Sequence, residues 1–154
     1  MRYPADVSGA RGAELANLLL GGFTAMVDEV IGELERRGHP GVTATHEFAL
    51  RAIGEGAQGA TALGRSLGVS KQAAAKSIAA LEELGYVARE VDPGDARRKT
   101  LVVTARGTEM MSIGAAAFDR IRTRWARQVG PARLRELETV LATLVAAVPP
   151  DRSG

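Results

Sequence analysis

Residues 63–104 read LGRSLGVSKQAAAKSIAALEELGYVAREVDPGDARRKTLVVT. Leu63 and Leu67, four apart, give a short helix one apolar face, with Thr61 placed to cap it. Gly68-Val69 makes a tight turn, and Ser70 is placed to cap a second helix reaching about Leu84. In that helix Ala74, Ile78 and Leu81 recur at three- and four-residue spacing and mark its inner face. Gly85 follows where helices often finish on a left-handed residue. Residues 86–91 and 100–104 are rich in β-branched side chains and read as two strands. The cationic run Arg97-Arg98-Lys99 then falls in the hairpin loop between them, with Pro93-Gly94 supplying the turn and Asp92 able to bond its own backbone.

Helical spacing governs both flanks. Leu15, Leu18, Leu19, Phe23, Met26, Val27, Val30, Ile31 and Leu34 predict a long amphipathic helix over 12–37. Gly21-Gly22 in its middle costs roughly 1 kcal/mol per glycine relative to alanine, so a kink or a close packing contact is expected there. Residues 38–41, Gly-His-Pro-Gly, end it, and a short helix over 45–53 follows with Thr43 or Thr45 as N-cap. Residues 54–59 read as a loop. Thr104 opens another long helix to about Val129, with Met110, Met111, Phe118, Ile121 and Trp125 on its apolar side. Gly130-Pro131 breaks it, and a last helix over 132–148 carries Leu134, Leu137, Leu141 and Leu144 before Pro149-Pro150.

A helix, a sharp turn, a capped second helix and a basic hairpin describe a winged helix-turn-helix. The expected fold is mainly α (α+β), with the winged element over 43–104 as a DNA-binding lobe. Residues 1–40 and 105–150 flank it as dimerisation helices, because their apolar stripes exceed what so small a motif can cover.

The charge distribution points the same way. The chain of 154 residues has a formal net charge of only +2, but residues 60–106 hold eight of its 20 Lys and Arg and five of its 18 Asp and Glu. The middle third is therefore +3 and the remainder −1, an asymmetry suited to an acidic partner. B-form DNA admits one helix in its major groove, and Lys71, Gln72, Ala75 and Lys76 lie on the free face of the second helix. Glutamine can bond adenine bidentately, lysine can reach guanine acceptors, and a small alanine permits close approach or meets a thymine methyl. Ser70 and the helix N-terminal amides suit a phosphate oxygen. A hairpin beside such a helix reaches the adjacent minor groove, where Arg97 is expected to enter while Arg98 and Lys99 meet flanking phosphates. Asp95 is expected to accept hydrogen bonds from Arg97 or from loop amides and so aim the arginine. The bland readings are an alanine-rich helix chosen for propensity and a merely solvated hairpin tip.

The run LGRSLGVSKQAAAKSIAALEELGYV, then DPGDARRKTLVVTARG with Asp95-Ala96-Arg97 and Val103-Thr104-x-x-Gly107, resembles the MarR family of bacterial transcriptional regulators. The resemblance covers most of the chain. It implies a homodimer built from the first and last helices that binds near-palindromic double-stranded operators, as a repressor released by a small aromatic effector. Gly64 stands where that family usually has alanine, a departure expected to loosen the first helix of the motif. Phe118 and Trp125 read as core residues, with lining an effector pocket as the competing reading.

Other classes find less support. No cysteine is present, which closes thiol-based sensing, disulfides and Cys-based metal sites. His39 and His46 lack a nucleophile or carboxylate arrangement suited to catalysis, so no enzyme is expected. A zinc site from His39, His46 and Glu47 is conceivable, but their spacing does not demand it, and neither metal nor cofactor is expected. The first residues, MRYPADVSGARG, lack the apolar segment of a signal peptide, and the apolar runs look too short to span a membrane. A cytoplasmic protein is expected. The alternative function is a winged-helix protein-interaction module without DNA readout.

Overall fold

The computed structural model describes residues 8–147. In order it contains α1 (Ser8–Arg36), α2 (Ala44–Gly54), α3 (Gly59–Leu67), α4 (Lys71–Glu83), β1 (Val87–Asp92), β2 (Asp95–Val103), α5 (Ala105–Val129) and α6 (Pro131–Ala146). The expected helix end at Val148 and the Pro149-Pro150 stop lie outside the described residues.

Local chemistry sets most boundaries. Gly38 takes a φ of 91° after α1, and the His39 amide donates back to the Leu34 carbonyl at 2.8 Å, closing the helix end. Thr43 caps α2 reciprocally with His46: the His46 amide donates to Thr43 Oγ1 and the Thr43 amide to His46 Nδ1. Ser70 Oγ accepts the Ala73 amide at 3.1 Å, and Thr104 Oγ1 accepts the Gly107 amide at the same distance.

The core gathers Val30 and Leu34 from α1, Ala49, Leu50 and Ile53 from α2, and Leu63 from α3. Ala74, Ile78 and Leu81 of α4 join them, with Tyr86, Leu101 and the Met110, Ile113, Ala117 and Ile121 stripe of α5. Each fully buried leucine or isoleucine among them contributes roughly 1.5–3 kcal/mol through lost water contact. At the surface Arg124 binds Glu29 and Arg120 approaches Glu33, tying α5 to α1. The guanidinium of Arg124 holds the Glu29 carboxyl below its ordinary range, and Arg36 does the same for Glu33. Both carboxylates are solvated, so these pairs orient the helices more than they stabilise them.

The fold departs from the sequence expectation in several places. Thr61 is not the cap of α3. That helix begins at Gly59, where a φ of 87° turns the chain earlier than the hydroxyl would. Strand β2 begins at Asp95 instead of residue 100, so Arg97, Arg98 and Lys99 stand on a strand and not in a loop. The turn itself is closed by residues 92–95, where the Gly94 amide donates to Asp92 Oδ1 at 2.8 Å. Exposed polar residues can take up this ladder because backbone pairing alone extends the ribbon, Val91 facing Lys99.

Helix α1 runs unbroken through Gly21-Gly22, and a Cβ on Gly22 would lie 3.7 Å from the Trp125 ring, so packing and not a kink accounts for it. Gly64 does not loosen its helix. A Cβ there would meet the Val69 carbonyl at 2.9 Å, so glycine lets the turn close tightly against α3. Finally, α1 contains a stretch, within Ala10–Arg36, of mean hydropathy 1.3, long and apolar enough to cross a membrane by length and composition. The apparent shortness of the apolar runs misses it, because isolated polar residues interrupt the run without lowering its average. Val27, Val30 and Leu34 commit the C-terminal half of this helix to the protein core.

Candidate nucleic-acid interface

Helix α4 divides cleanly. Ala74, Ser77, Ile78 and Leu81 are buried, while Lys71, Gln72, Ala73, Ala75 and Lys76 are exposed. The inner residues recur every three or four positions, so the outer ones must share the opposite face. Ser70, Gln72, Ala73, Ala75 and Lys76 together line one shallow concavity. The structure thus brings four of the expected contact residues to a single surface, with Lys71 beside it on the same turn. Ser70 Oγ is already an acceptor for the Ala73 amide, which leaves its hydroxyl hydrogen to donate to an oxygen outside the helix.

The wing residues Arg97, Arg98 and Lys99 are exposed on β2. Asp95 accepts the Arg97 backbone amide at 3.0 Å, an Asx turn that fixes the main chain from which the arginine departs. Its carboxylate takes this amide and not the guanidinium. The ladder is interrupted here: Val91 faces Lys99 while Asp92 faces Asp95, so residues 96–98 are extra on β2 and Arg97 and Arg98 are carried on the bulge. Among the described residues, no ion pair engages Lys71, Lys76, Arg97, Arg98 or Lys99. Their charge is available to a polyanion.

The residues considered for zinc serve other purposes. His39 is buried and shares a hydrogen bond with the Tyr86 hydroxyl at 3.0 Å through Nδ1, while His46 serves the α2 cap. Glu47 is buried, pairs with Arg51 through Oε1, and has no partner for Oε2. Among the described residues no cluster of three or more His, Asp or Glu could hold a metal. Phe118 and Trp125 are half-buried against the core. Phe118 lies 6.2 Å from Phe48, which stacks on Phe23 at 5.9 Å, whereas Trp125 packs separately towards Gly22.

Sequence reasoning misses the residues that join this lobe to its supports. Tyr86 is buried, so burial raises its phenol above the usual value, while Arg106 pulls the other way. The Arg106 guanidinium lies 5.1 Å over the Tyr86 ring and donates to the Gly38 and Leu84 carbonyls. Spacing places Gln58 only in a loop, yet its side chain bonds the backbone of Leu101 twice. Partners 20 to 68 residues apart leave no local signal for any of these contacts.

Residues 40–98, which span the turn after α1 through the bulge of the wing, match the family model MarR_2, described as MarR family. That match covers the winged-helix segment and leaves the flanking helices outside it. Solved structures extend the likeness in fold to the flanking helices. A MarR-family transcriptional regulator from Rhodococcus sp. RHA1 superposes with a TM-score of 0.67 at 20% identity, covering 94% of this chain and 99% of that one. CouR from Rhodococcus jostii RHA1, solved with p-coumaroyl-CoA, gives 0.64 at 18% identity over 98% of this chain and 100% of its own. A point mutant of S. aureus MepR, solved with an oligodeoxyribonucleotide, gives 0.55 at 16% identity over 88% and 98%. No curated protein sequence matches the chain. At these identities the likeness establishes the fold alone.

Proposed function

We propose that this chain is a MarR-type, sequence-specific double-stranded DNA-binding transcriptional regulator, acting in the cytoplasm as a homodimeric repressor on a two-fold operator. The observation that carries the reading is the exposed, unpaired face of α4, Lys71, Gln72, Ala75 and Lys76, on the same small lobe as the cationic ribbon of β2. In the proposed complex α4 enters the major groove with Gln72 at base edges and the two lysines at guanine acceptors or phosphates. Ser70 meets a phosphate, Arg97 enters the adjacent minor groove, and Arg98 and Lys99 hold the backbone beside it. Residues 43–104 form the reading lobe, and 1–40 with 105–150 form the dimerisation region. The oligonucleotide held by the MepR mutant supports this use of the fold.

The pairing rests on surface chemistry. Leu15, Leu18, Leu19, Leu20 and Phe23 of α1 and Leu137, Val140, Leu144 and Val145 of α6 are all exposed. Two such faces on one molecule are what a self-complementary two-fold interface buries. It also accounts for the high hydropathy of α1 without a bilayer. A small aromatic effector, seated by Phe118 and Trp125 between the dimer region and the reading lobe, would release the DNA; CouR, with its bound coumaroyl thioester, supports this role for the fold.

Selection of bound fragments from a random duplex pool tests the proposal. It is expected to return an inverted repeat with half-site centres about one helical turn apart. Recovery of unrelated sequences, or of none, contradicts it. On the selected duplex Gln72→Ala is expected to relax preference at one position per half-site by roughly 1–3 kcal/mol. An equal loss on unrelated DNA, measured by competition, would show that Gln72 meets only the backbone.

A further inference from the structure

Gln58 immediately precedes α3, with extended backbone angles of −103° and 108°, yet its side chain bonds none of the helix's free amides. It turns instead to β2, where Nε2 donates to the Leu101 carbonyl at 2.9 Å and Oε1 accepts the Leu101 amide at 2.8 Å. In an antiparallel ribbon a residue directs its N–H and C=O to the same side, so Leu101 spends both on the edge of β2 away from β1. The primary amide of Gln58 therefore occupies the place of a third strand's peptide group, one residue long.

The position of this clasp matters. Residues 95–99 of β2 are exposed throughout, and Leu101 is the buried residue of the strand. The ribbon thus leaves the body of the protein as a cantilever whose root is Leu101, two residues from Lys99 and four from Arg97. Gln58 fixes that root to the start of α3, and α3 packs on α4. Gln58 thus links β2 to the groove-facing helix through α3, while the Arg89–Glu82 pair at 3.0 Å ties β1 to α4 directly.

We propose that Gln58 is a positioning residue that sets the angle of the wing relative to α4, acting on DNA through Arg97 without touching the duplex. This rests on the DNA-binding reading above. Neither hydrogen bond carries a formal charge, so each contributes modestly. Together they define an orientation that a two-stranded ribbon cannot hold by itself.

The test uses the full-length protein and a duplex selected by the wild-type chain. Gln58→Ala and Gln58→Met, the second keeping length without donor or acceptor, are each expected to weaken binding about tenfold. The dimer is expected to remain and the Leu101 amide to exchange faster with solvent. The deciding readout is coupling: adding Gln58→Met to Arg97→Ala is expected to change affinity less than about twofold, whereas adding it to Gln72→Ala gives the product of the two losses. Wild-type affinity in Gln58→Met, or full additivity with Arg97→Ala, overturns the assignment. So does failure of both variants to fold, which makes Gln58 a folding residue. If the wild-type chain retains no duplex, the DNA-binding reading falls and this role falls with it; if it binds and Gln58→Met binds equally, only the role of Gln58 falls.

Discussion

Gly107→Ala is expected to lower the thermal midpoint by about 4–8 °C, even though alanine is the better helix former. The residue sits in the first turn of α5, where its amide donates to Thr104 Oγ1. The Thr104 hydroxyl in turn donates to the Gly85 carbonyl at 2.6 Å, and the Thr104 amide donates to the Tyr86 carbonyl at 3.0 Å. A Cβ on residue 107 would overlap the Tyr86 carbonyl oxygen and lie 2.7 Å from Val103 Cγ1. The first of these is backbone pinned by the Thr104 bond, so it cannot rotate away. Alanine's helix propensity gains about 1 kcal/mol over glycine, whereas overpacking a fixed site costs roughly 3 kcal/mol. The clash therefore wins by about 2 kcal/mol, which for a chain of this size gives the stated shift. Calorimetry or thermal circular dichroism reads it directly. An unchanged or raised midpoint would mean that the joint between the wing and α5 is not packed as described.

Leu18→Asp is expected to separate the proposed dimer into monomers and to weaken binding to the selected duplex by about 10²-fold or more. Residues 10–21 of α1 are exposed along every face, and Leu18 is 68% exposed, so the substitution removes nothing from the winged-helix core. In the proposed two-fold interface, however, it buries a carboxylate opposite apolar side chains, and each copy contributes one. A monomer reads one half-site and loses the gain in effective concentration that links two. Sedimentation equilibrium with circular dichroism decides the matter. A folded monomer is the expected result, and a dimer of wild-type strength contradicts the placement of the interface on α1.

Much of this architecture is legible in the chain because its signals are local. Ser70, Thr104, Gly68 and Gly85 mark helix ends by chemistry within a few residues, and each lies where the sequence places it. The inner stripe of α4 follows from spacing alone. Thr61 misleads because a hydroxyl near a helix start resembles a cap, while Gly56 and Gly59, both with positive φ, have already turned the chain. Strand β2 looks too short in the sequence because β-branched side chains mark buried strands, and an exposed ribbon needs only its ladder. Gln58, Tyr86, His39 and Arg106 are illegible as a group. Their partners lie far off in sequence, and an isolated glutamine or histidine carries no mark of what it will meet.

Salt dependence on the selected duplex tests the central claim most directly. If Lys71, Lys76, Arg97, Arg98 and Lys99 of two copies face DNA phosphates and grooves, several counterions are released on binding. The logarithm of affinity then falls linearly with the logarithm of salt, losing about 10³-fold or more between roughly 50 and 200 mM. The slope is expected to become shallower by about one unit per copy when Arg98 or Lys99 is replaced by alanine. A flat dependence across that range, with those substitutions leaving it unchanged, would contradict the account and point to a protein partner held by apolar contacts.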